Sequence, residues 1–162
     1  MNIPVDKSVA IFFRFYSDIL EEETTETLYA EVENNEFGYY KITDLPFYTP
    51  KIASDDIVWA EYSEAEGMLT YRKTIQHSGN SVIHAIILDG AYDIDEVCKI
   101  FRYMGCRTEQ LNHNYFALEI PARANYIPIK RKLDEMEKEG ILDYAESELS
   151  DQHQYKNVPF GS

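Results

Sequence analysis

The hydrophobic repeat changes once along this chain, at His77-Ser78-Gly79-Asn80, and that change limits the fold more than any other feature. Before it, apolar and polar residues alternate with the period of half-buried strands. After it, two segments carry apolar residues at i, i+3, i+4 and i+7, the spacing of helices lying on a sheet. The expected class is α+β: a β-rich, barrel-like subdomain over residues 1–78, a ferredoxin-like subdomain over 79–148 and a flexible tail over 149–162.

In the first part, Val9 to Phe15 is β-branched and aromatic and reads as a strand, followed by a charged connection from Asp18 to Thr25. Over Thr27 to Glu33, Leu28, Ala30 and Val32 point one way and Tyr29, Glu31 and Glu33 the other. Asn34-Asn35-Glu36 has the chemistry of a hairpin turn, and Phe37 to Ile42 is the returning strand. Pro46 and Pro50 make the next stretch a loop rather than a central strand. Ile57 to Tyr62 and Met68 to Ile75 form a second hairpin, so five strands without a helix predict a small barrel or a strongly bent sheet.

In the second part, Ser81 to Leu88 is apolar on both faces, as a central strand under helices must be. Asp93 is a good helix N-cap, with Glu96 placed for a capping box. Ile94, Val97, Cys98, Phe101 and Met104 then make one stripe that Gly105 ends. Cys106 to Gln110 and Tyr115 to Ile120 are strands turned at Asn112-His113-Asn114. A second helix runs from about Asn125 to Glu139, its start fixed by Pro128, and Ile141 to Glu146 is the last strand. The order is βαββαβ.

With 29 acids against 15 bases, the chain carries −14, which excludes nucleic-acid binding by phosphate neutralisation and favours basic partners. Up to Ser78 there are 15 acids and 6 bases, −9; beyond it 14 and 9, −5. Eight acids and no base stand between Asp18 and Glu36, a stretch that simple solubility would also explain. No apolar run is long enough to span a bilayer and no basic flank precedes an apolar signal segment, so a cytoplasmic protein without membrane contact is expected.

Catalysis needs a nucleophile, a base and an orienting group that converge, and none can be assembled. His77, His84, His113 and His153 show no metal-binding spacing; His84 alternates with Val82 and Ile86 as a satisfied core residue would, and His77 sits in a turn-rich loop. Cys98 and Cys106 belong to no CxxC pair and read as inert packing thiols. The chain is therefore expected to be no enzyme and to hold no metal or cofactor.

Partner-binding residues are sought among the early acids Glu21, Glu22, Glu23, Glu31 and Glu33, and in the group Asp55, Asp56, Trp59 and Glu61. If Val58, Ala60 and Tyr62 face the core, Trp59 stands outside as an aromatic anchor with a charged rim; otherwise it is a core residue.

Leu28-Tyr29-Ala30-Glu31-Val32, Leu45-Pro46-Phe47-Tyr48, Asp56-Ile57-Val58, Thr74 to Ser81 and Gly140-Ile141-Leu142-Asp143-Tyr144 together resemble an uncharacterised bacterial domain of unknown function. The family commonly has Trp where this chain has Tyr29, and Asn where it has Asp44. Its quoted residues look structural, Pro46 and Gly79 fixing loops, Phe47 and Ile57 filling core. By analogy with small acidic proteins of this kind, the resemblance implies an immunity protein that occludes the basic active site of a cognate bacterial toxin domain. The alternative is a small-molecule-binding regulator with a ferredoxin-like sensor half.

Overall fold

The computed structural model describes residues 8–155, which divide into two compact units, one up to Ser78 and one from Gly79. The chain is mixed α and β, mostly strand, with two α-helices among the described residues. None of the described helices is long and apolar enough to cross a membrane.

The first unit consists of β1 (Ser8–Ser17), β2 (Glu22–Asn34), β3 (Tyr39–Ile42), β4 (Ile57–Ser63) and β5 (Met68–Gln76). Neighbours pair antiparallel in chain order, and a parallel contact of Phe12 with Thr70 closes the five into a ring. Its interior holds Ile11, Phe13, Leu28, Ala30, Tyr40, Ile42, Ile52, Val58 and Ala60, with Tyr71 stacked on Phe13 at 4.7 Å. Alternation thus sorts β2 as its sequence requires, Leu28 and Ala30 inward, Tyr29, Glu31 and Glu33 outward.

The charged connection is shorter than the sequence suggests. Glu22 to Thr25 already belong to β2, paired with Ser17 to Arg14, because an isolated acid on an outward strand position costs nothing when solvated. Tyr62 does not join the core: Val58 and Ala60 fill the interior, and the tyrosine, at the end of β4 before the turn, is 64% exposed. Phe47 and Ile57 are only half-buried, whereas Leu45 and Pro46 are buried.

The second unit runs β6 (Ser81–Ile87), α1 (Ile94–Tyr103), β7 (Arg107–Gln110), β8 (Tyr115–Ile120), α2 (Tyr126–Lys138) and β9 (Leu142–Glu148). Its sheet has the order β7-β8-β6-β9, all neighbours antiparallel. Asp93 caps α1 through the Asp95 amide and Asn125 caps α2 through that of Ile127. Both helices set their apolar stripes, Ile94, Val97, Cys98 and Phe101 on one, Tyr126, Ile129, Leu133 and Met136 on the other, into one core with Ile83, Phe116, Leu118 and Leu142. Burial pushes the thiols up, Cys98 to about 11 and Cys106 to about 12, so both stay protonated and unreactive.

The tail is not free over its first residues. Ser150 and His153 are buried and Asp151–His153 form a 3-10 turn; the rest of the expected tail, 156–162, lies outside the described residues. Gly79, at φ +94°, is required beside this turn, since a Cβ there would come within 3.0 Å of the Ala122 Cβ and 3.2 Å of the Gln152 side chain.

Candidate functional site

Acids contiguous in sequence are not contiguous on the first unit. Glu21 occupies a left-handed turn position at φ 55°, and Glu22 and Glu23 stand exposed at the start of β2 opposite Ser17 and Tyr16. Glu31 and Glu33 are exposed near its other end, eight residues and about 26 Å along the strand from Glu23. Asp55 is exposed, at φ 69°, in the loop entering β4, and Glu61 is exposed and paired with Arg72 at 3.3 Å.

The grouping that the fold does make is at the β2–β3–β4 end. Tyr39 lies opposite both Asn34 and Trp59, and the register shift between Val32 and Asn34 leaves Glu33 as the extra residue beside them. Val58 and Ala60 face the interior, so Trp59 is on the outer face, half-buried. Phe37, 60% exposed, lies 5.6 Å from the Tyr39 ring, and Tyr29 is 54% exposed on the outer side of β2. The outcome is an aromatic strip with Glu31, Glu33 and Glu36 along it.

Two acids of this unit turn inward. Asp56, expected as a partner contact, is 1% exposed: its carboxylate accepts the amides of Ala53 at 3.1 Å and Ser78 at 2.8 Å and lies 3.5 Å from His77 Nδ1. It ties the loop before β4 to the segment after β5 and orients the exposed His77 ring. Glu26 went unmarked in the sequence among its acidic neighbours. It accepts from the Phe47, Tyr48 and Thr49 amides and the Thr49 hydroxyl at 2.6–3.2 Å, fixing the Pro-Phe-Tyr loop. Burial, then the Glu26 charge, raises the Tyr48 phenol. Asp44 accepts the Tyr29 amide at 2.8 Å. The amide oxygen of an Asn could accept the same bond.

In the second unit a serine and a histidine meet, but as a lock. Ser81 Oγ lies 2.6 Å and Ser150 Oγ 3.1 Å from His153 Nδ1, while Nε2 lies 3.0 Å from the Pro121 carbonyl. A carbonyl only accepts, so the proton sits on Nε2 and Nδ1 receives a serine hydroxyl. Burial lowers the His153 pKa, against the opposing pull of the Pro121, Ala124 and Ala122 backbone. Ser81 is fully buried, which denies it a substrate. Nearby, Tyr126 and Tyr155 donate to the two oxygens of Glu146 at 2.6 and 2.7 Å, and the Lys130 ammonium lies 5.0 Å from the centres of both the Tyr144 and Tyr155 rings. Tyr144 donates to Asp134. Burial first, and then its acid partner, raises each of Tyr126 and Tyr144; the bond to Glu146, then burial, pushes Tyr155 up to about 12. Protonated phenols around the ion pairs of Lys130 with Asp134 and Glu146 rigidify the α2–β9 contact. His84 is buried beside the Tyr115 ring at 6.2 Å, as a core histidine. Among the described residues no buried side-chain nitrogen or oxygen lacks a partner.

Residues 26–144 match DUF4265, a domain of unknown function. No curated protein matches the chain. The fold is similar to a solved structure described as the novel crystal structure of a hypothetical protein from Neisseria gonorrhoeae, with a TM-score of 0.76 and 24% identity, covering 88% of this chain and 96% of that one. At that identity the likeness is one of fold.

Proposed function

Since the chain belongs to DUF4265, a family defined without an activity, we propose from its surface chemistry that it is a binding protein: a cytosolic immunity factor that occludes the basic active site of a cognate toxin domain. We read the five-strand ring as a small barrel and the β7-β8-β6-β9 sheet as ferredoxin-like, two rigid supports with no catalytic centre in this reading. One observation carries it: Glu31 and Glu33 point outward beside the exposed or half-exposed rings of Tyr29, Tyr39 and Trp59. Solvated acids steer a basic partner into encounter, and aromatic rings among them provide the area that holds it.

Co-expression with a candidate toxin domain from a neighbouring gene tests this. The expected result is cell survival only when both are present. Survival with the toxin domain alone, or death despite this chain, rejects the immunity reading.

A further inference from the structure

We propose that the tip of the β2–β3 hairpin is an arginine seat: Phe37, Tyr39 and Trp59 stack a guanidinium of the basic partner while Glu33 and Glu36 take its edge. The inference rests on the binding function proposed above and names the chemistry that it selects.

The seat is built by one backbone position. Gly38 has φ +72°, and its carbonyl accepts the Ala60 amide at 3.0 Å, which draws the turn against β4. A Cβ at this position would come to 3.0 Å from the Ala60 carbonyl oxygen and 3.4 Å from the Trp59 ring, so glycine is what lets the indole lie along the turn. Phe37 and Tyr39 flank that glycine with their rings tilted 32° to one another, and Trp59 pairs with Tyr39 across the strands. Three rings from adjoining positions thus stand at this turn, Phe37 exposed and Tyr39 and Trp59 half-buried.

Charge decides the occupant. Glu33 and Glu36 bracket the turn, and no base occurs in the sequence from Asp18 to Glu36. Lys73 stands directly opposite Trp59 on β5 and Lys41 two residues beyond Tyr39, opposite Glu31, so cations adjoin the strand side of the seat while its turn side carries Glu33 and Glu36. Exposed rings beside carboxylates suit a cation that is flat and weakly hydrated. A guanidinium stacks on a ring and keeps its N–H edge for carboxylates; an ammonium is a strongly hydrated point charge that does neither well.

Trp59 is the only tryptophan in the chain, so its emission reports on the seat directly. The full chain is titrated with nona-arginine and with nona-lysine at one moderate salt concentration, followed by Trp59 emission and by calorimetry. The expected result is a saturable change of emission with nona-arginine and an affinity roughly 5-fold or more above that for nona-lysine. Phe37→Ala, at an exposed position that does not threaten folding, brings the two affinities together; Glu33→Gln weakens both. Equal affinities with unchanged emission overturn the seat and leave acidic-face binding standing. Absence of binding by both peptides removes both ideas. Concentration-dependent emission without peptide assigns the tip to a second copy and overturns the arginine seat.

Discussion

Glu26→Ala is expected to lower the stability of the first unit by about 3 kcal/mol, because one carboxylate satisfies three backbone amides and a hydroxyl of the Pro-Phe-Tyr loop. Alanine leaves those donors facing partly buried surroundings that the loop cannot vacate without uncovering Leu45 and Pro46, both buried. Glu26→Gln should cost about half as much, since its oxygen can keep the three bonds made by Oε1 while its amide opposes the Phe47 N–H. The denaturant midpoint followed by Trp59 emission measures the first unit, which holds the sole tryptophan. A loss below about 1 kcal/mol for the alanine variant would show that the loop is held by other contacts.

The second large effect is at His153. Burial places its folded pKa below the ordinary value of 6.5. The unfolded chain therefore takes up the proton first as pH falls. The stability that neutral His153 contributes is full above about pH 6.5 and is lost as pH drops toward the folded pKa, by up to about 1.4 kcal/mol per pH unit. The Ser150 amide donates to Ser81 Oγ at 2.9 Å, so its hydrogen exchange, corrected for intrinsic rate, reads the lock locally. Exchange should quicken below pH 6.5 in the wild type. His153→Gln should abolish that pH dependence, and His153→Ala should open the turn at every pH, costing about 2 kcal/mol. Identical pH profiles for the wild type and His153→Gln would contradict the assignment.

What was legible in the sequence followed from periodicity. The stripe from Ile94 to Phe101 and the alternation from Leu28 to Val32 each have a single buried solution, and both took it. Where the alternation runs out of core was not legible: Val58 and Ala60 are buried, but Tyr62, on the same side of β4 and next to the turn, is exposed. Nor was the division of labour among the acids, because an inward Glu26 or Asp56 has the same letter as a solvated Glu31. The partner of Glu26 lies 21 residues or more away, and that of Asp56 reaches 22. The pairing of Ser81 with Ser150 and His153 spans some 70 positions, with no local pattern to announce it. The one available signal for Asp56 was its place, just after a loop and just before an alternating strand, where an acid often accepts backbone amides.

The most direct measurement is the association rate between this chain and the toxin domain that it protects against in co-expression, taken by stopped flow over a range of salt for the wild type and for Glu31→Lys with Glu33→Lys. Both positions are exposed, so the double reversal alters charge and not packing. The wild type should associate fast and slow steeply with salt; the reversed form should associate about 10-fold more slowly or worse at low salt, with a flattened salt dependence and a nearly unchanged dissociation rate. Equal rates and equal salt slopes for the two proteins would contradict a docking role for this face.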